Sequence, residues 1–403
     1  MELFWLEHKK LWRKKIVKIC VLLCFVYCVI FGSILSFQWF SFGSSDDYTS
    51  AFGNNFDGYT VIKDSQEYAL SFDGKLTDET LQKIVSDYQQ MKADGMEEEL
   101  EKTDWQIVNS WLGTLYPELR DTSNYKTMIS YVDPDKLTGF YERRQQVLDE
   151  FLEVSGQVGA EKEFLHQIER KVEKPFLYEW VEGWSTLLGS MVADLGVVMA
   201  LFLGIVLSSL FAGEWHDNTS TLVLTTRNGW GKIALAKILT GLAFTVELFA
   251  LLAVSSVISQ LFFMGTAGWD MPIQNIKLIA VAPMNMLQAE IYEYAFVLLG
   301  AIGFAGIVMF ISAAVKNNVL TLLLSLAVVY GPMMIAEYLP YEMQKALDLI
   351  PLVGSSTDIF RTNTFRIFGK LIWSPYLLIT IPVLIGILCM PFAIKSWSRR
   401  MKA

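Results

Sequence analysis

Residues 184–211 read WSTLLGSMVADLGVVMALFLGIVLSSLF, and Asp194 is the one formally charged side chain among them. A helix that crosses a bilayer needs about 20 mostly apolar residues, so this run is read as a transmembrane helix. Five runs of the same kind lie around it, at 19–42, 233–263, 294–315, 319–338 and 375–394. The expected fold class is an all-α polytopic membrane protein with six transmembrane helices. Composition agrees: the 403 residues are 53% hydrophobic and only 19% charged, where soluble domains carry about 25% charge. A soluble enzyme, a disordered chain and a collagen-like fibre are excluded on these grounds.

Lys9, Lys10, Arg13, Lys14, Lys15 and Lys18 precede the first run. That run is too long for the apolar core of a signal peptide, about 7–15 residues, and no small-residue cleavage pattern comes after it. It is read as a retained anchor, with 1–18 as a cytoplasmic amphipathic basic helix. Basic residues mark the cytoplasmic side of a membrane protein. Arg227, Lys232, Lys237, Lys316, Lys395, Arg399, Arg400 and Lys402 join the N-terminal group on one side if there are six spans. Both termini are then cytoplasmic, with residues 395–403 as a tail. The 339–374 connection carries four basic residues yet falls outside; its run Leu349-Ile-Pro-Leu-Val353 is expected to lie on or dip into the outer surface.

Residues 43–180 then form an extracellular domain between the first two spans. Within it, positions 44–178 hold 27 acidic and 14 basic residues, against 15 and 19 in the remainder. The acidic balance of the chain therefore belongs to this domain, and no basic domain is present to hold nucleic acid. A chain of this length can bury its own core. Alternation at 59–63 and 68–72 predicts two short strands. Helical stripes run on from Thr77, from the capping-box pattern Thr103-Asp-Trp-Gln106, from Pro134, and across Phe164, Leu165, Ile168 and Val172. The domain is thus expected to be mainly helical, α+β. It has a single histidine, His166, and no nucleophile–base grouping. The acidic run 97–101 lacks the spacing of a calcium loop and reads as a solvated face.

Two carboxylates fall within the apolar runs, Asp194 and Glu247. A carboxylate in hydrocarbon is costly and normally faces protein or water. They are tentative transport-pathway residues, or protonated groups hydrogen-bonded between helices. Glu290 and Glu293 are expected as solvated anchors at the outer mouth of the fourth span. Cys20, Cys24 and Cys28 recur at helical spacing and read as small hydrophobes on one face; no metal site is expected.

Between the second and third spans lies the cytoplasmic segment 212–232. It contains Glu214, Thr219, Leu222, Leu224 and Arg227, with Lys232 and Lys237 leading back into the membrane. An acidic residue leaves the bilayer, an amphipathic turn comes next, and basic residues re-enter it, which describes a short interfacial helix. This segment resembles the permease subunits of type-2 ABC exporters at their Glu … Gly-Thr-Leu … Leu-Leu … Arg … Lys pattern. Asn218 stands where Gly is usual and Thr226 where Pro or Ser is usual. The basic helix before the first span and the six spans are similar to that family too, and the large outer domain resembles a Gram-positive subset of it.

The resemblance implies a bacterial cell-membrane permease with Glu214, Thr219, Leu222, Leu224, Arg227 and Lys232 as the coupling residues. It implies a cytoplasmic ABC ATPase partner carrying ATP and Mg, a second copy or related permease, and contact with membrane lipid. The sequence is consistent with a separate motor: its Gly-Lys pairs at 74–75, 231–232 and 369–370 are each followed by an apolar residue, whereas a phosphate loop ends Gly-Lys-[Ser/Thr]. No cofactor is expected in this chain. The implied substrate is amphipathic or hydrophobic, such as an antimicrobial peptide or lipid. Sodium efflux is an alternative, and a membrane sensor whose outer domain binds a ligand is a rival of another class.

The topology has a direct test. A cysteine at Ser65 in a cysteine-free background should react with an impermeant thiol reagent in intact cells. One at Ser398 should react only after permeabilisation. Labelling of Ser398 in intact cells contradicts the orientation.

Overall fold

A computed structural model describes residues 2–41, 74–96, 105–120, 127–188, 192–217, 219, 231–354, 359–360 and 362–399. Among these, five helices are long and apolar enough to cross a membrane, over Leu195–His216, Lys232–Phe262, Met286–Ala314, Asn318–Tyr338 and Ser374–Ser398. The corresponding helices are α8 (Val192–His216), α9 (Lys232–Met264), α10 (Met286–Ala314), α11 (Asn318–Ile335) and α13 (Ser374–Arg399). Before them come α1 (Glu2–Arg13) and α2 (Lys15–Ser41), which break at Lys14 and pack on α9. Their apolar side chains need not all point inward. Leu235, Leu239, Val246, Val254, Ile258 and Phe262 form an exposed stripe along α9, a surface too apolar for water.

Close packing between the spans comes from small residues, as membrane interfaces require. A Cβ at Gly303 or Gly306 of α10 would collide with the backbone of α13 at Pro382 or Gly386. Cys20, Cys24 and Cys28 line the buried seam of α2 together with Val17. Pro332 lies inside α11, which ends three residues later and tightens into a 3-10 turn over Ala336–Tyr338.

The bundle has two ends. The tail end holds Lys15, His216, Lys232, Ala314, Asn318 and the C-terminal end of α13. The domain end holds the remaining described structure. There, β1 (Gly74–Lys75) pairs antiparallel with β2 (Leu177–Tyr178). Between them run α3 (Asp78–Ala93), α4 (Trp105–Leu115), α5 (Phe140–Val154) and α6 (Ala160–Glu169). The side chain of Thr77 caps α3 by accepting from Thr80 N at 3.2 Å, and Leu81, Ile84, Val85 and Tyr88 are its buried face. The expected strands at 59–63 and 68–72, and the cap at Thr103, lie outside the described residues.

Pro134 does not open the next helix. It starts a separate 3-10 turn, and α5 begins at Phe140 after Gly139 in a left-handed conformation (φ 71°). The cause is Asp78, whose carboxylate accepts from Gly139 N at 2.7 Å and Phe140 N at 2.9 Å. It supplies from a neighbouring helix the cap that the local sequence lacks.

The domain does not close a core of its own. Leu278, from the link between α9 and α10, is buried among the side chains of α3, α4 and α5. Leu148, Leu152 and Leu165 pack with Trp184 of α7 (Glu182–Thr186), with Met271, Ile273 and 280–282, and with Ile359 and Trp373. The connection expected on the outer membrane surface carries α12 (Tyr341–Leu347) and an antiparallel hairpin, β3 (Thr364–Ile367) and β4 (Lys370–Trp373). Its two turn residues, Phe368 and Gly369, both have positive φ, as a right-twisted two-residue hairpin requires. This hairpin rests on the domain: Thr364 Oγ1 donates to Gln157 Oε1 at 2.8 Å, and Arg366 pairs with Glu161.

Arg144 fastens this seam. Fully buried, it donates to Glu169 at 2.6 Å, to Leu278 O at 2.7 Å and to Ala280 O at 3.2 Å. Burial acts to raise the Glu169 carboxyl, but Lys174 and Arg144 hold it below the usual carboxylate range. A carboxylate depressed in the folded state stabilises the fold above its unfolded pKa, and that contribution is lost as pH falls through the folded value. Arg144→Ala should cost about 3–5 kcal/mol, because Glu169 loses a buried partner. Thermal unfolding of the full chain in detergent checks this. The gap between wild type and Glu169→Gln should shrink as the pH drops below the carboxylate range.

Candidate functional site

At the tail end, hydrocarbon gives way to headgroups and every charge needs a local counter-charge. Glu214 is in the last turn of α8 and only 4% exposed. Lys237, on the second turn of α9, is 2% exposed and donates to Glu214 Oε1 at 2.7 Å and to Glu7 Oε2 at 2.9 Å. Lys10 donates to the same Glu214 oxygen at 2.6 Å. Thr219 donates its hydroxyl to Glu214 Oε2 and its backbone N–H to Glu214 O. Lys14, at the break between α1 and α2, donates to Ser209 Oγ at 2.9 Å. All of these except Thr219 line one open pocket.

The electrostatics are mutual. Burial alone would lower the Lys10 ammonium, but the Glu214 carboxylate more than offsets it and raises it. Lys14 is pushed down by burial and by the neighbouring ammonium groups of Lys237 and Lys10. Charge-assisted bonds of this kind are shorter and stronger than neutral ones. Chemically the arrangement transfers nothing. It is a latch that joins α1, α8 and α9 around one carboxylate.

A second polar insertion stiffens the same turn. Ser312 of α10 accepts from Phe211 N and Ala212 N, both at 3.1 Å, and donates to Ser208 O at 2.7 Å. It sits within the backbone ladder of α8, one turn before Glu214. Around it, Trp397 of α13 meets Phe211 and Trp215, and Lys316 lies over the Trp215 ring at 4.5 Å. The last turn of α8 is therefore gripped from α1, α9, α10, α13 and the Lys316 link.

Of the expected coupling residues, Glu214 and Thr219 are brought together. Lys232 stands exposed at the start of α9, while Leu222, Leu224 and Arg227 lie outside the described residues. Asp194 falls within α8, and its side chain is outside the described residues. Glu247 is 42% exposed and held by α1: His8 Nε2 lies 3.1 Å from one oxygen and Trp12 Nε1 donates to the other at 3.0 Å. Glu247 lies at the middle of α9, as the sequence suggests; what the sequence does not show is α1 folded against it. Glu7 and Lys10 were missed for the same reason.

Glu290 and Glu293 reverse the expectation. Helix α10 begins at Met286, under a capping box between Asn285 and Gln288. Both glutamates thus fall inside its first turns, 3% and 0% exposed. The motif Asn285-Met-Leu-Gln288 was the signal that could have moved the helix start.

No family model, curated protein or solved structure matches this chain.

The latch makes a measurable prediction. Glu214→Gln or Lys237→Met should each destabilise the full chain by about 3–5 kcal/mol, since each leaves a buried charge short of its partner. The double variant should cost less than the sum of the two. Additive losses in thermal unfolding would show that the two residues do not act together.

Proposed function

We propose that the chain is the membrane-spanning permease subunit of an ATP-driven ABC exporter in a bacterial cell membrane. In this reading α2 is a sixth span, residues 43–180 are extracellular, and the tail end faces the cytoplasm. Hydrolysis of ATP with Mg occurs on a separate ATPase subunit, and a second permease copy or related subunit completes the complex. The cargo is amphipathic or hydrophobic, such as an antimicrobial peptide or a lipid-like molecule.

The Glu214 latch is the observation that carries this reading. The segment 217–231 leaves α8 directly after Glu214 and re-enters α9 five residues before Lys237. A push on that segment therefore reaches α8, α9 and, through Lys10 and Glu7, the N-terminal helix. A permease without a phosphate loop can sense nucleotide only through cytoplasmic contacts of this kind. Supporting the orientation, Lys9, Lys10, Arg13, Lys14, Lys15, Lys18, Lys232, Lys237, Lys316 and Lys395 gather at the tail end, as cytoplasmic flanks do.

An ATPase subunit should accompany the chain when its native complex is purified from membranes. Arg227→Ala should leave the chain in the membrane yet weaken the coupling of hydrolysis to export, on a scale of about 5–150-fold. ATP turnover by this chain alone, or a native complex that contains no ATPase, contradicts the proposal.

A further inference from the structure

Glu290 and Glu293 sit on successive turns of α10 with all four carboxylate oxygens buried and without a hydrogen bond of acceptable geometry. No Lys, Arg or His pairs with either among the described residues. Tyr294, beside the Glu290 carboxyl, bonds instead to Ser256 of α9 at 2.8 Å. Phe249 of α9 covers the Tyr294 ring at 6.1 Å between centroids, and Cys28 of α2 also faces that tyrosine. Tyr294, the titratable side chain beside the pair, is not cationic.

The same chain shows how it treats a carboxylate that is to stay charged: Glu214 has two lysines and a threonine. An ionised carboxylate in hydrocarbon costs about 2.5–3.5 kcal/mol even on insertion scales. Two on adjacent turns add repulsion, because like charges sharing a site cannot both ionise. The pair must therefore take up positive charge from outside the chain. A hard metal cation gathers 6–8 oxygen ligands from several groups around it, whereas Glu290 and Glu293 are the only carboxylates here, and no group of three His, Cys, Asp or Glu side chains that could hold a metal occurs among the described residues. A proton needs neither a coordination shell nor a cavity.

We propose that Glu290 and Glu293, closed off by Tyr294 and Ser256, form a proton-binding site inside the membrane bundle that holds at least one exchangeable proton at neutral pH. The site is separate from the Glu214 latch and does not depend on the exporter reading. It lies at the domain end of α9 and α10, two helices that the latch and the Ser312 insertion engage at their other ends.

Infrared spectroscopy of the full chain in lipid nanodiscs tests this without any partner. At neutral pH the wild type should show a protonated-carboxyl C=O stretch that disappears on titration to high pH. Glu290→Gln and Glu293→Gln should each diminish that component, and the double variant should remove it. Absence of the band from the wild type overturns the proposal, and needs no variant to fold. A band unchanged in the folded double variant also overturns it. So does bleaching of the band by sodium chloride at constant pH, which would assign the site to a metal cation.

Discussion

A charge within a membrane bundle has to be neutralised where it stands, because no water is at hand to do it. Glu214 obeys that constraint in full. Its carboxylate ends α8, and satisfying it draws Lys237 from α9 and Lys10 from α1 to a single oxygen. Lys237 in turn holds Glu7. Two neighbouring helices and a third some two hundred residues earlier in the chain are thereby fixed in relation to one another. The position of α1 sets the break at Lys14, and that break sets where α2 begins its path along α9. Remove the carboxylate, and the buried Lys237 and half-exposed Lys10 are left facing each other without their shared partner.

The chain uses three answers to the same problem. Glu214 is buried and paired with ammonium groups. Glu247 stays partly exposed and takes a histidine and an indole from α1. Glu290 and Glu293 are buried with neither answer. The contrast matters because breaking a buried pair costs several kcal/mol, while a paired charge is close to neutral. An unpaired acid pair that the fold nevertheless keeps is a place where stability has been surrendered to something else. At the domain end the logic of Glu214 recurs with its sign reversed. There the arginine is central: Arg144 gathers Glu169 and the carbonyls of 278 and 280. Domain, hairpin and helix link share one core as a result, so motion of α9 or α10 is felt in the domain.

Much of this was legible in the sequence, and the limits have physical causes. The five long apolar helices came from hydropathy, which reports a local property. The start of α10 did not, since Glu290 and Glu293 look like surface until the Asn285 cap places them inside the helix. The hairpin at 364–373 was missed although its residues alternate around Phe-Gly, because the apolar run before it suggested a membrane surface. Asp78 as a cap for α5, and Arg144 as the rivet of the seam, could not be read at all: each acts across more than twenty positions, and periodicity carries no such information. Glu214 was picked out by its pattern, but its partners Glu7 and Lys10 were not, since a basic N-terminal helix reads as lipid-facing whether or not it is also pinned from the other side.

In the proposed exporter, the latch around Glu214 passes motion from the cytoplasmic face into α1, α8 and α9 together. Hydrogen–deuterium exchange on the assembled native complex, with and without bound ATP, tests this most directly. Nucleotide is predicted to slow exchange in 214–232 and in 2–13 in concert. Protection confined to 395–403, with both of those segments unchanged, would contradict it.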